Sequence, residues 1–384
     1  MKRFKEQQLG DVLEFYDHQR IPLSSLERDN RKGEFRYYGA QGVIDHIDKF
    51  IFDGQFILIA EDGANLVTRN QPIAFLVDGQ FWVNNHAHVV QGKPGVADDF
   101  FLTALLNNLN IAGFVTGAAQ PKLSQQNLRQ IKVSLPDFRT QMAITNVVAA
   151  YDDLMENNRR RMALLEESAR LLYREWFVHL RFPGHEKAKL TNGVPKGWKA
   201  GTLRDICTDI RESVSPEELE PETPYIGLEH IPRGSISLVE WGRADAVTSS
   251  KSRFQAGDIL FGKIRPYFHK VGIAFTDGVA SSDAIVIRPH EENYRALVLM
   301  IASSDAFVAE ASQSAREGSK MPRADWKLML KYPVLIPSSG ILRDFSDIVE
   351  SITAQLKTLC FQTQKLRTAR DLLLPRLMSG DFIV

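Results

Sequence analysis

PDFRTQMAITNVVAAYDDLMENNRRRMALLEESARLLYREWFVHL, residues 136–180, is one of two long stretches in the chain with a helical period. PSSGILRDFSDIVESITAQLKTLCFQTQKLRTARDLLLPRLMSG, residues 337–380, is the other. In the first, Val147, Tyr151, Leu154, Asn158, Arg161, Leu165, Ser168 and Leu172 step by four and three. In the second, Ile348, Ile352, Gln355, Leu359, Gln362, Leu366, Ala369 and Leu373 step identically. A stripe repeating at 4,3 is the seam of helices that supercoil. Each spans about 37 residues, about 55 Å at 1.5 Å per residue, and a one-sided helix of that length needs a partner. The seam therefore predicts that the two pair antiparallel through Val147, Tyr151, Leu154, Leu165 and Leu172 on one and Ile348, Ile352, Leu359, Leu366 and Leu373 on the other. Asp137 and Ser338 or Ser339 are placed to cap them. Pro375 interrupts the second near its end.

Working outward, residues 117–178 lie over 318–379 at a constant offset of 201 without a gap: Gly117 on Gly318, Pro121 on Pro322, Val133 on Val334, Pro136 on Pro337, Leu165 on Leu366. In both halves a short β-like run, Ile131–Leu135 or Tyr332–Ile336, ends at proline before the helix. The segments before the helices alternate strand-like runs (Phe56–Ala60, Ile73–Val77, Phe81–Asn84, Asp258–Phe261, Ala284–Ile287) with Gly-rich turns. RFPGHEKAKLTNGVPKGW, residues 181–198, is a Pro/Gly-rich linker. The layout predicts an α+β protein built as a pseudo-two-fold repeat: a mixed domain over 1–136, a long helix over 137–180, the linker 181–198, a second mixed domain over 199–337, a long helix over 338–378 and a tail, 379–384.

Composition narrows the function. The 384 residues hold 47 Lys+Arg against 47 Asp+Glu, a net charge of zero, with 44% hydrophobic and 24% charged residues. Global disorder is excluded, and nucleic-acid binding must use local patches. Cys207 and Cys360 have no CxxC or Cys/His company and read as reduced, buried thiols. MKRFKEQQLGD has no apolar run behind its basic residues, and no stretch approaches about 18 apolar residues. A cytoplasmic protein without a membrane span is expected.

Five further words sit on this duplicated scaffold: YYGAQGVIDHIDKFIFDGQFILIAEDGAN from Tyr37, FWVNNHAHVV from Phe81, GAAQPKLSQQNLRQIKVSLP from Gly117, LLYREWF from Leu171 and NGVPKGW from Asn192. GDILFGKIRP from Gly257 and RDLLLPRLMSGDF from Arg370 are similar in style. With them, the chain resembles the specificity (S) subunit of Type I restriction–modification systems over essentially its whole length. The resemblance implies that each mixed domain is a target recognition domain reading one half of a split, asymmetric sequence in double-stranded DNA. It implies that the helices set the spacing and dock two methyltransferase subunits, with restriction/translocase subunits joining through the complex. It also implies a chain without catalytic residues or cofactors of its own. S-adenosylmethionine, ATP and Mg²⁺ would belong to the partners.

Phosphates are held by Lys, Arg and small polar groups, while bases are read by side chains that reach their edges. The most basic stretch runs from Lys251 to Lys270. Lys251, Arg253, Lys263, Arg265 and Lys270 stand against Asp258 alone, with Tyr267 and His269 interleaved. A second patch, Arg316, Lys320 and Arg323, flanks Gly318, and its counterpart around Gly117 carries Gln120 and Lys122. Arg69 and Asn70 follow the turn EDGANLVT. These are the expected DNA-binding residues. The same lysines and arginines also suit a solvated strand-and-turn face. Asn84, Asn85, His86 and His88 suit either base contacts or a polar core.

Enzyme motifs are sparse. Gly257-Asp-Ile-Leu-Phe-Gly262-Lys263 has P-loop spacing but Ile264 where Ser or Thr must bind Mg²⁺. His86-x-His88 has no third ligand at a telling distance, so no metal site is expected. Asp325-Trp-Lys327 is a lone DxK. No amino-methyltransferase Asn-Pro-Pro-Tyr or Asp-Pro-Pro-Tyr is present. A stand-alone nuclease or adenine methyltransferase is the alternative reading.

Overall fold

A computed structural model describes residues 4–117, 119–314 and 321–382. The chain divides into two compact units, residues 1–153 with 367–384, and residues 154–366. Both divisions fall inside the long helices.

The first unit carries β1 (Lys5–Gln8), β2 (Leu13–Phe15), β3 (Lys32–Gly39), β4 (Gly42–Ile47), β5 (Phe52–Asp53), β6 (Phe56–Ala60), β7 (Ala74–Val77), β8 (Gln80–Val83), β9 (Ala87–Gly92) and β10 (Lys132–Leu135). Four strands form an antiparallel sheet in the order β2-β9-β6-β7. Four more form a sheet in the order β4-β3-β8-β5, whose β3–β8 pair is parallel. β1 pairs with β10. Successive side chains of a strand point to opposite faces, and β6 serves two cores. Ile57 and Ile59 meet helix α1 (Asp99–Asn108) through Phe101, Leu102 and Leu106. Phe56 and Leu58 join Phe52, Phe81 and Val89. A strand buried on both faces reads as an unbroken apolar run, which is why FILIA shows no alternation.

The long helix α2 (Phe138–Tyr173) follows and ends in a π-helical turn, Arg174–Val178. Asp137 Oδ1 accepts from Thr140 N at 2.9 Å, capping it. The linker holds a hairpin, β11 (Leu190–Thr191) and β12 (Val194–Pro195), turned by Asn192 and Gly193 at φ 52° and 78°.

The second unit repeats the first. Its strands are β13 (Lys199–Thr202), β14 (Cys207–Ile210), β15 (Ser213–Val214), β16 (Pro224–Ile226), β17 (Gly242–Arg243), β18 (Lys251–Phe254), β19 (Ile259–Gly262), β20 (Val271–Ile273), β21 (Gly278–Ala280), β22 (Ala284–Pro289) and β23 (Pro333–Ile336). One sheet runs β14-β22-β19-β20, the other β15-β18-β21-β16-β17 with β16–β21 parallel, and β13 pairs with β23. Strand for strand these are the first unit's sheets, with β15 added at one edge. Helices α3 (Arg295–Ala302) and α4 (Asp305–Gln313) pack beside them, and α5 (Ser339–Ser379) runs through Pro375 to its end.

Within each unit α2 and α5 meet antiparallel. In the first, Ile144 and Val148 share a core with Leu377 and Met378, and Asp152 pairs with Arg370 at 2.6 Å. In the second, Asn158 Nδ2 donates to Thr363 Oγ1 at 3.3 Å, and Phe177 meets Phe345 edge-on at 4.7 Å between centroids.

The expected seam needs a correction. Tyr151, Leu165, Leu172, Ile352, Leu359, Leu366 and Leu373 are buried or half-buried, and so is Val147. Leu154 and Ile348 are 52% and 43% exposed. The intervening places belong to the next residue along: Val148, Met155, Met162 and Ala169 on α2, Val349, Leu356, Thr363 and Arg370 on α5. Stripes stepping 4,3 and 3,4 share every other position, and the expected 4,3 stripe passes over Met162 and Leu356, each more apolar than the Arg161 and Gln355 it took instead.

Candidate nucleic-acid interface

The basic stretch is largely engaged within its own unit. Lys251 Nζ donates to Ser249 O and Oγ, both at 2.8 Å, and Arg253 pairs with Glu212 at 3.5 Å. Both residues stand on β18, in the sheet that excludes β19. Lys263 Nζ donates to Ser282 O and lies 3.9 Å from Asp283. Lys270 Nζ donates to Leu228 O; burial, with Arg233 beside it, holds its ammonium below the usual lysine value. Acids distant in sequence, Glu212 and Asp283, supply the counter-charge that a sequence window cannot see.

What the structure brings together is the β19–β20 loop with the segment after residue 320. Arg265 N donates to Pro322 O at 2.8 Å, Ile264 bridges Arg323, and Arg323 reaches Asp283 at 3.3 Å. Arg265 and His269 both take positive φ, 48° and 52°, around the turn Pro266–Phe268. Such backbone strain persists only where surroundings enforce it. It holds Tyr267 outward, 56% exposed.

Two expected contacts turn out to be structural. His269 Nε2 lies 2.9 Å from Ser303 O, just beyond the C-terminus of α3. In the topologically equivalent β6–β7 loop, Arg69 at φ 53° donates through Nη2 to Leu106, Asn107 and Leu109 O at 3.2, 2.7 and 3.2 Å. Both close open carbonyls at a helix C-terminus, and Arg69 brings the positive charge favoured there. Arg69 is therefore a cap, and burial holds its guanidinium below its ordinary value. Two residues before each, the loop exposes a side chain, Val67 at 63% and Tyr267. Asn70 and Gln120 are exposed, and Lys122 pairs with Glu61 at 3.2 Å. Arg316 and Lys320 lie outside the described residues.

The comparisons with known proteins bear on this arrangement. Residues 1–167 match the model of the Type I restriction modification DNA specificity domain. A putative type I restriction enzyme specificity subunit of Haemophilus influenzae is 35% identical over 142 residues, 37% of this chain and 36% of that protein; the match spans about a third of that relative's length. A type I restriction enzyme specificity subunit of Methanocaldococcus jannaschii is 23% identical over 347 residues, 84% of this chain and 78% of that one. The fold matches the crystal structure of a Type I restriction–modification S subunit from M. genitalium with a TM-score of 0.61 at 15% identity, covering 97% and 96% of the two chains.

Residues 1–167 thus match the Type I DNA specificity domain, and the fold of the whole chain is that of a Type I S subunit.

In this chain the enzyme-like motifs have structural roles. The P-loop-like run forms the central strand β19, with Ile259, Leu260 and Phe261 buried. Asp325 Oδ1 accepts from Lys327 N and Leu328 N at 3.0 and 3.3 Å, capping the turn Trp326–Met329. Burial pushes the Cys207 thiol, with Asp209 adding to it, up to about 12 and the Cys360 thiol up to about 11. Among the described residues no group of three His, Cys, Asp or Glu is set to hold a metal.

In the NNHAH segment Asn84 and His88 are buried with a polar core, while Asn85 and His86 are exposed. His88, 1% exposed, places Nδ1 2.6 Å from Asp17 and Nε2 2.8 Å from Leu123 O. Asp17 also accepts from Val89 N at 2.8 Å. Burial raises the Asp17 pKa, but the His88 hydrogen bond and charge, Val89 N–H and Arg20 outweigh it, leaving the carboxyl below its usual value. A depressed carboxyl contributes stability above its unfolded pKa of about 3.9, lost as pH falls through the folded value. Urea midpoints should therefore drop below about pH 4. In His88→Ala the hydrogen bond and charge that most depress the carboxyl are gone, and the acid-side drop should shrink. An unmoved acid limb would show that His88 does not hold Asp17 ionised.

Glu166 carries no local mark of its role. On α2, buried to 4% exposure, it accepts from Ser235 Oγ, Ser237 Oγ and Ile236 N at 2.8, 2.6 and 3.2 Å. It ties the 235–237 loop of the recognition fold to the helix. A lone Glu within a charged helix is indistinguishable by sequence from its solvated neighbours.

Proposed function

We propose that this chain is the non-catalytic DNA-reading subunit of a Type I complex, and that each unit reads one half of a bipartite, asymmetric duplex target. The observation that carries the proposal is the repeated two-sheet topology with unlike reading loops. The equivalent loops present Val67 in one unit and Tyr267 in the other. An apolar tip suits a thymine methyl and a phenol suits a hydrogen-bonding base edge, so two different halves follow. The paired helices set the gap between half-sites and dock two methyltransferase subunits. Leu154, Leu164 and Leu171 of α2, 52%, 70% and 50% exposed, and Leu372 of α5, 68% exposed, support a docking role. S-adenosylmethionine, ATP and Mg²⁺ act in the partner subunits. No helix of the described residues is long and apolar enough to cross a membrane, which accords with a place in the cytoplasm beside the DNA.

The test is a genome-wide adenine-methylation map with the gene intact and disrupted, in a cell that carries the methyltransferase partner. Loss of one split, asymmetric motif supports the reading, and an unchanged map overturns it. A matched seven-residue insertion in α2 and α5 adds about 10 Å of helix, about three base pairs of duplex. The gap should lengthen by about that amount while both halves keep their bases. An unaltered gap would remove the helices from the spacing role.

A further inference from the structure

The second unit has a cleft of about 670 Å³ at the edge strand β14. Five basic side chains line it: Arg204, Arg211, His290, Lys327 and Lys331. They come from three segments distant in sequence, which is why no charge window finds them. Two acids share the cleft, and both are occupied. Asp209 pairs with Arg211 at 2.5 Å, and Asp325 spends its Oδ1 on the backbone of Lys327 and Leu328. Arg204, Lys327 and Lys331 are exposed, and among the described residues none of the three has a side-chain hydrogen bond or ion pair. The contrast with Lys251, Arg253, Lys263 and Lys270, each held by a partner of its own unit, is direct. Like charges gathered in a concave wall focus a positive field. With three donors uncommitted, the field awaits an anion that several cations contact at once.

We infer that this cleft grips the phosphodiester backbone of duplex DNA, independently of base sequence, and holds the second unit in register on its half-site. The inference rests on the DNA-reading proposal. A phosphate grip fixes position and supplies affinity but carries no sequence information. Each phosphate contact contributes about 0.9 to the slope of log affinity against log salt, roughly eightfold in affinity over a decade of salt.

The experiment uses the complete methyltransferase complex assembled with this chain. Duplexes containing the mapped motif, and unrelated duplexes, are titrated from low to high salt. Arg204→Ala, Lys327→Ala and Lys331→Ala together should lower the slope by about two to three and weaken both duplexes in parallel. The methylated motif should stay unchanged. Lys327→Arg with Lys331→Arg should keep the wild-type slope, separating charge from fold. If the wild-type complex discriminates its motif but the triple variant keeps the slope, the cleft assignment falls and the reading stands. If the wild-type complex shows no preference for any duplex, the reading falls and takes the cleft with it. Submillimolar binding of inorganic phosphate alone, abolished by the triple substitution, would reassign the cleft to a small anion.

Discussion

Phe345→Ala is expected to destabilise the second unit by about 3–5 kcal/mol, the range for emptying a fully buried aromatic site. Phe345 sits at the start of α5, fully buried, edge-on to Phe177 at 4.7 Å and tilted against Trp176 at 5.8 Å. Phe177 in turn contacts Trp198, which closes the linker. The phenyl thus joins the end of α2, the linker and the beginning of α5 in one aromatic cluster. Removing it forfeits burial and edge-to-face contact together. The site is walled by rings on separate elements and has little freedom to collapse around the void. Since a domain's whole stability is about 5–15 kcal/mol, the purified variant should show a much lower denaturant midpoint with an unchanged slope. Phe345→Leu should recover a substantial part of the loss. A loss under about 1 kcal/mol for the alanine variant would mean that the cluster does not lock the helix pair.

The cluster also shows what the sequence made legible. LLYREWF and the proline-bounded helix starts could be read directly, because local signals, caps and apolar period, set where α2 and α5 begin. Which face of each helix turns inward could not. The buried face carries Ala169, Asn158, Glu166 and Thr353, while Leu164, Leu171 and Leu372 point outward. Glu166 is buried where the 235–237 loop lies against the helix, a contact about 70 residues away in sequence. Binary patterning assumes that burial and hydrophobicity coincide, and here tertiary contact separates them. The charged patch failed for the same reason. Lys251–Lys270 looked uncompensated because Glu212, Asp283 and Asp305 arrive from other strands and helices. Arg204, Lys327 and Lys331 looked ordinary because only the fold assembles them. Arg69 and His269 could be flagged as special residues, but a helix C-terminal cap from a distant loop leaves no local mark.

Asp258→Ala should also destabilise the second unit, for a different reason. Asp258 is 3% exposed and binds Arg288 through both oxygens, at 2.7 and 2.6 Å, while accepting from Gln255 N at 2.7 Å. The pairing holds the Arg288 guanidinium above its ordinary value against the opposing effect of burial. Removing Asp258 leaves the half-buried Arg288, 31% exposed, without its partner and Gln255 N without its acceptor, at about 1.5–3 kcal/mol. Asp258→Asn should be nearly as damaging, since it keeps the shape and loses the charge. The same position in the first unit is built without charge. By strand register Ile259 faces Ile287 as Ile57 faces Val90, so Phe56 stands where Asp258 stands and Gln91 where Arg288 stands. Phe56 there packs among Tyr16, Phe52 and Phe81. One scaffold thus tolerates an ion pair or an apolar contact at this strand entry. A double variant, Asp258→Leu with Arg288→Met, should therefore regain most of the stability lost by Asp258→Ala. The coupling is read from a double-mutant cycle of denaturant unfolding. Additive losses would show that Asp258 acts through the Gln255 turn rather than through Arg288.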